Sequence, residues 1–447
     1  MSITLKVRSP LPTTTNYEPI PNCNRAQIIV KSPSICKYLK PIARSGATFF
    51  CRSSTTTPVF LSDAGRNMVL EEFDPEIPLQ EAMTPPSSWY TQPSFFHLEL
   101  ERVFYREWQA VGYTEQIENS MDFFTGRLGN VEFVVCRDAD GNLQAHHNVC
   151  RHRASPLASG TGKKSCFVCP YHGWTYGLDG SLQKATRTTG IRNFQENDFG
   201  LVPIKVATWG PLVLINLDKH KSSDRRNDHR KAAHGEVDDV GMEWLGNSLL
   251  VLGNIGIDST SFRHVRRREY PMECNWKVYC DNYLDGDYHV PFVHKGLTAS
   301  LNLASYSVTN FDKVSVQACE TATTTTGGND NYRMGSKALY AFVYPNFTIA
   351  RYGPWLETNL VLPVSPGKCV VVFDYFLEAS RLKEKGFVDR SLEESHKIQV
   401  EDIEVCEAVQ KGLESPAYRR GRYAPAAEEA LYRFHSSLHN SLSQPSI

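Results

Sequence analysis

Four residues between Cys150 and His172 have the types and spacing to hold an iron–sulfur cluster. Cys150 and His152 stand two apart, Cys169 and His172 three apart, with 16 residues between the pairs. Each pair offers one thiolate and one imidazole from a short loop. A [2Fe–2S] cluster of the Rieske type takes that set, two Cys on one iron and two His on the other. Zinc also accepts two Cys and two His. Zinc fingers, however, usually group both Cys before both His, and here the types alternate. The second loop reads CPYHGWTYGLDG, and its Pro170 and Gly173 keep the backbone tight, so that N–H groups can point at cluster sulfurs. Cys166 lies beside this loop, but the first loop has no second Cys to pair with it. That argues against a disulfide-braced cluster domain. The chain has 12 Cys, and those outside the motif follow no framework spacing.

A second constellation follows in NWKVYCDNYLDGDYHVPFVH, which starts at Asn275. Asn275 is a natural helix N-cap. Asp285 precedes His289 by four residues, which places both on one helical face. His289 and His294 are five apart, and an unbroken helix would splay them by about 140°. Pro291 stands between them and favours a bend that brings both imidazoles together. Two His and a distant carboxylate form the facial triad of non-haem Fe(II) oxygenases, which leaves positions open for O₂. Alone, the two His would serve equally well as hydrogen-bonded structural side chains. Behind a cluster domain they make better sense as iron ligands, because the cluster needs an electron acceptor.

The elements that must position these groups alternate clearly along the chain. Apolar spacing from Ser94 to Trp108 predicts a helix. Short strands follow at Trp108–Tyr113, Asp122–Leu128, Val131–Arg137, Leu143–His147, Trp174–Leu178 and Gly210–Leu217, with turn residues between them. They predict a small antiparallel β-domain with the cluster loops at one end. The stretch 218–240 is almost wholly polar and reads as a surface insertion. A Thr/Gly-rich loop (Thr323–Asn331) precedes strands Leu339–Tyr344, Phe347–Tyr352, Leu360–Pro363 and Cys369–Leu377. A helix over Asp389–Gly412 closes the second domain.

Composition bounds the function. At 447 residues, 41% hydrophobic, with formal net charge −1, the chain has room for two or three cores. It offers no electrostatic case for nucleic acid or a membrane surface. No apolar run reaches the length of a membrane span; the nearest, Ser248–Ile257, is broken by Gly253 and Asn254. Residues 1–62 are rich in Ser, Thr and Pro, are basic from Lys6 to Arg52, and contain Glu18 as the sole acid before Asp63. This is the make-up of a chloroplast transit peptide, or of a basic disordered tail.

With these residues in view, the chain from about 90 to 440 resembles the catalytic subunits of Rieske-type non-haem iron oxygenases, in particular those acting on quaternary ammonium compounds. The matching motifs are Cys150-x-His152, Cys169-Pro-Tyr-His172, Asn275-Trp-Lys, Asp281-Asn-Tyr-Leu, the pair His289/His294, and Glu401–Gln410 (EDIEVCEAVQ). The resemblance implies an α+β fold. An N-terminal antiparallel β Rieske [2Fe–2S] domain with its leading helix would occupy 90–217. A catalytic domain at 241–440 would carry an antiparallel sheet flanked by helices. It implies cluster ligands Cys150, His152, Cys169 and His172, and mononuclear Fe(II) held by His289, His294 and Asp402. It also implies a carboxylate linking cluster to iron. The family places that group three residues before the first iron-binding His, where this chain has Gly286; Asp285 takes the role by its helical face, with Asp287 the alternative.

The activity implied is hydroxylation of choline to betaine aldehyde hydrate, with O₂ and reduced ferredoxin, in the chloroplast stroma. The assembly implied is a ring-shaped homo-oligomer, a trimer, in which one subunit's cluster serves its neighbour's iron. Aromatic faces hold a trimethylammonium group well; Tyr283, Tyr288, Phe292, Tyr340, Phe342, Tyr344, Tyr352 and Trp355 are the candidates. Arg263, Arg266, Arg267 and Arg268 could dock an acidic ferredoxin or simply line a strand edge. Alternatives are a monooxygenase on another quaternary ammonium compound, or on a plastid pigment. From a different class comes a Rieske electron carrier, which would hold two Fe per chain rather than three.

Overall fold

A computed structural model describes residues 69–218, 239–254, 261–322 and 333–444. The N-terminal segment, nearly all of the polar insertion and the Thr323–Asn331 loop lie outside the described residues.

Helix α1 (Pro93–Glu99) starts on a proline, whose fixed φ suits a first helical turn. It continues as a π-helical turn, Leu100–Phe104, and buries Phe95, Phe96, Leu100, Val103 and Phe104. The helix thus ends before Trp108.

Ten short strands follow: β1 (Gln109–Tyr113), β2 (Asp122–Leu128), β3 (Val131–Arg137), β4 (Leu143–His147), β5 (Thr161–Lys163), β6 (Phe167–Val168), β7 (Thr175–Tyr176), β8 (Leu182–Lys184), β9 (Lys205–Trp209) and β10 (Leu212–Asn216). They form three antiparallel sheets, β4-β3-β2-β5, β1-β10-β9 and β6-β7-β8. The loops after β4 and after β6 carry the two Cys/His pairs.

The second half is one seven-stranded antiparallel sheet. In chain order its elements are β11 (Phe262–Met272), helix α2 (Trp276–Leu284), β12 (Leu301–Asn310), β13 (Val314–Thr321), β14 (Lys337–Val343), β15 (Phe347–Tyr352), β16 (Trp355–Ser365) and β17 (Lys368–Glu378). The strand order is β11-β17-β16-β15-β14-β13-β12. Helices α3 (Lys385–Leu413) and α4 (Glu429–Ser443) join α2 on one face. The other face packs on β1, β9 and β10 around Trp209, Trp244 and Phe347. Coverage on both faces buries β16 and β17 along nearly their whole length, the polar Glu357, Thr358, Asn359 and Asp374 included.

The two halves are tied directly. The His264 ring stacks on Tyr113 with centroids 3.8 Å apart, and His264 N donates to Glu115. Arg267 pairs with Asp374 through contacts of 2.6 and 2.9 Å, and Arg268 donates to Leu392 O. The Arg run therefore lies on the edge strand β11; Arg263 and Arg266 are exposed, and Arg263 donates to Phe262 O.

A buried ion pair anchors α2 to α1. Lys277 Nζ donates to Glu99 Oε1 (2.5 Å) and to Asn275 Oδ1 (2.7 Å), and Trp276 Nε1 donates to Glu99 Oε2 (2.8 Å). Both charged side chains are fully buried, and burial pushes the Glu99 carboxyl up even against Lys277 and Trp276. Lys277→Met leaves that carboxylate uncompensated and should cost about 3–5 kcal/mol. Urea unfolding of both proteins reads this directly, and an unchanged midpoint would show that the pair adds nothing.

Candidate active site

The cluster loops are shaped by their own backbones. Cys150 N donates to Ser155 O (2.9 Å) and Ala154 N returns to Cys150 O (3.0 Å). In the second loop Cys169 N donates to Trp174 O (2.7 Å) and Gly173 N to Cys169 O (3.0 Å). Gly173 sits at φ 71°, a left-handed conformation that glycine adopts without penalty. Burial works against charge on Cys169. The N–H groups of Tyr171 and His172, with Cys150 and Ser155, outweigh it and hold the thiol below its ordinary value. A lowered thiol is what a metal ligand requires.

The four donors separate into two ends. The thiols of Cys150 and Cys169 are buried and within hydrogen-bond reach of each other. The His152 and His172 rings are exposed, with centroids 4.7 Å apart. His152 stacks on Trp174 and His172 on Tyr171. Tyr176 Oη lies 3.3 Å from Cys150 Sγ and accepts the N–H of Arg151. One zinc ion would need all four donors within about 4 Å of each other. Among the described residues, however, the one group of three or more candidate ligands whose donor atoms lie within 4.8 Å is elsewhere. A thiol end and an imidazole end fit a two-iron cluster better than a single ion.

That other group is His289, His294 and Asp402. His289 Nε2 lies 3.3 Å from His294 Nε2, and Asp402 Oδ1 lies 3.0 Å from His294 Nε2 and 3.8 Å from His289 Nε2. Both Nε2 atoms and one carboxylate oxygen thus converge, the donor set of a facial triad. Each imidazole is held from behind. His289 Nδ1 contacts Asp285 Oδ1, and His294 Nδ1 lies 2.7 Å from Glu401 Oε2. Asn282 Nδ2 donates to Asp402 Oδ1 (2.9 Å). Carboxylates behind ligand imidazoles fix their tautomer and orientation. Burial disfavours charge on His294, but Asp402 and Glu401 outweigh it and raise its pKa above the ordinary value.

The local fold differs from the expected bend at Pro291. Helix α2 ends at Leu284, and the break falls at Gly286, whose φ is 62°. A Cβ there would run into Tyr306 Oη. Pro291 instead opens the short helical turn Val290–Val293. Asp285 is the C-cap of α2 rather than a residue on one continuous helix with His289, and it meets His289 across that break.

A cavity of about 130 Å³ opens beside the three converging donors. Tyr279, Tyr283, Tyr306 and Tyr340 line it with Leu297, Leu301, Leu303 and Ile398, and Asp287 is in its wall while Asp285 is not. Of the eight aromatic candidates only Tyr283 and Tyr340 reach it. Tyr288 and Phe292 are exposed (52% and 78%), and Phe342, Tyr344, Tyr352 and Trp355 are buried away from it. Tyr279 was findable, because it stands four residues before Tyr283 on α2. Glu401 stood in the matching motif with no role of its own, and Tyr306 carried no local signal. Neither did the buried set behind Asp281, where Tyr90 Oη donates to Oδ2 (2.8 Å) and His435 Nε2 lies 3.1 Å from Oδ1.

Residues 107–195 match the Rieske [2Fe-2S] domain, and 259–444 match the catalytic domain of the ring hydroxylating alpha subunit. A chloroplastic choline monooxygenase of Arabidopsis thaliana is 55% identical over 394 residues, covering 88% of this chain and 90% of that protein. The chain belongs to the family of the plant choline monooxygenases. The Beta vulgaris member is 48% identical, covering 84% of this chain and 80% of its own. Family membership brings a Rieske [2Fe–2S] cluster and a mononuclear iron as cofactors, and the two donor sets above have the chemistry for both. Among solved structures, a quaternary ammonium Rieske monooxygenase superposes with TM-score 0.69 at 24% identity, covering 83% of this chain and 97% of that one, which is a likeness of fold. Among the described residues no helix is long and apolar enough to cross a membrane.

Proposed function

We propose that this chain hydroxylates choline at its alcohol carbon. Choline, O₂, two electrons and two protons give betaine aldehyde hydrate and water. The cavity supports this reading most directly, because it sets four tyrosines beside the convergent His289, His294 and Asp402 in a chain whose relatives are choline monooxygenases. Reduced ferredoxin is the electron donor, the chloroplast stroma the location, and residues 1–62 the transit peptide. The working units are 90–217 and 241–440, assembled as a trimer.

Cys150, His152, Cys169 and His172 hold the cluster, and His289, His294 and Asp402 hold Fe(II). The metals supply electron storage and O₂ activation. The chain's own residues do the rest. Asp285 and Glu401 orient the two imidazoles, and Asn282 fixes Asp402. Leu297, Leu301, Leu303 and Ile398 exclude water, and the tyrosines hold the trimethylammonium group so that the alcohol carbon faces the iron ligands.

Asp285 also links cluster to iron. Asp285→Asn should keep both metals yet slow cluster reoxidation by choline and O₂ by about 10- to 100-fold, the range for partners of metal ligands. Stopped-flow absorbance of the cluster follows this. If Asp287→Asn gives the defect and Asp285→Asn does not, the link runs through the cavity wall.

Charge decides the substrate. Cation–π attraction contributes about 0.5–2 kcal/mol, which a neutral isostere forfeits. In competition binding, 3,3-dimethyl-1-butanol should therefore be held several-fold to about 30-fold more weakly than choline. Equal affinity would contradict the choline reading.

A further inference from the structure

One polar group in the cavity wall has no part in the chemistry above. Gln317 on β13 lines the cavity and is 4% exposed. Its Nε2 donates to Tyr283 O (3.1 Å) in the last turn of α2. A carbonyl oxygen only accepts, so the NH₂ end of the amide must face Tyr283, and Oε1 is turned the other way. Among the described residues no donor meets Oε1, and packing does not enclose it; it opens on the cavity.

That oxygen sits on the iron-ligand side of the cavity. A Cβ on Gly286, at the break after α2, would lie 3.5 Å from it. The turn that Gln317 is bonded to also carries Asn282, which holds Asp402, and leads into Asp285, which holds His289. The tyrosines of the wall offer little to a hydroxyl donor. The oxygens of Tyr283 and Tyr306 are enclosed, so these two rings face the cavity with carbon. Tyr279 Oη donates to Gln399 Oε1 (3.3 Å). Tyr340 is directly opposite Gln317 on β14, but its hydroxyl brings a proton that itself needs an acceptor. Gln317 Oε1 can only accept.

We propose that Gln317 Oε1 accepts the hydrogen bond of the substrate's hydroxyl and so makes the site specific for an alcohol. The proposal rests on the choline reading. The carbon to be hydroxylated bears that hydroxyl, so one hydrogen bond fixes the reacting C–H toward His289, His294 and Asp402. Leu297, Leu301 and Leu303 keep water out, and a hydroxyl or amide oxygen left unpaired beside them is costly. A quaternary ammonium ion with no hydroxyl leaves Oε1 unpaired and is the poorer ligand.

The test uses the full-length enzyme with both metals and measures binding by equilibrium dialysis of labelled choline and of ethyltrimethylammonium, which is choline without its hydroxyl. The wild type should prefer choline by about tenfold. Gln317→Met keeps the length and removes the acceptor. It should weaken choline by about tenfold and leave ethyltrimethylammonium within about twofold. Gln317→Glu keeps an acceptor and loses the bond to Tyr283 O. Its added charge acts on both cations alike, so the preference should survive, as it should in Tyr340→Phe. Should Met prevent folding, Gln317→Leu takes its place. Equal weakening of both ligands in Gln317→Met, or loss of the preference in Gln317→Glu as well, would reduce Gln317 to an anchor for α2 and overturn the proposal. A preference that persists in Gln317→Met would give the hydroxyl to Tyr340 or Asp287 and overturn it too. A wild type that holds both cations equally would overturn it alone, whereas a wild type that binds neither would remove the choline reading as well.

Discussion

His289→Ala is expected to remove the mononuclear iron and to lower choline-dependent O₂ uptake by more than about 100-fold, since even outer partners of a ligand act on that scale. The Rieske spectrum should be unchanged. The reason is the separation of two donor sets: His289 belongs to a group with His294 and Asp402, whereas Cys150 and Cys169 are buried in a different hydrophobic cluster of the β-domain. His289 also has a partner behind it, so its loss leaves Asp285 without its imidazole. Iron analysis should fall from three per chain to two, with the visible and EPR signals of the cluster intact. Loss of the cluster signal in this variant would mean that His289 supports the fold as a whole.

Cys169→Ser has the complementary outcome. Its thiol is buried, receives two backbone N–H groups and touches Cys150, so a serine oxygen would be set where a soft thiolate is needed. Rieske absorption and EPR signals should vanish, iron should fall to one per chain, and ferredoxin-dependent turnover should stop. A normal cluster spectrum would remove Cys169 from the ligand set.

What the sequence made legible was local. The Cys/His pairs are tight-loop spacings, and β2, β3, β4 and β15 have the limits that their alternation and turn residues suggest. Asn275 caps α2, its side chain accepting from Lys277 N, as its residue type implies. What escaped depended on distant partners. Strand β12 is an edge whose alternation, Leu301 and Leu303 then Tyr306 and Val308, changes phase at a register shift between Asn302 and Ser307, and Tyr306 went unnoticed with it. Glu99 and Lys277 are far apart in sequence and declare themselves only when α1 meets α2. Glu401 reads as one more helix acid until His294 stands beside it. Pro291 attracted the bend because its effect is known, whereas the break falls at Gly286, whose left-handed φ and closeness to Tyr306 Oη both exclude a side chain. The aromatic candidates failed for a related reason: a Phe, Tyr or Trp fills a core as readily as a cavity, and only packing separates Tyr340 from Tyr344.

The central claim is that cluster electrons are spent on choline at the His289–His294–Asp402 site. Single turnover tests it without a reductase. Enzyme with a reduced cluster and Fe(II) is mixed with choline and O₂, and cluster oxidation is followed alongside rapid-quench analysis of betaine aldehyde. The account expects betaine aldehyde to form in step with cluster oxidation in the wild type, and neither event at a comparable rate in His289→Ala. Cluster oxidation with no betaine aldehyde, or equal product from His289→Ala, would contradict it.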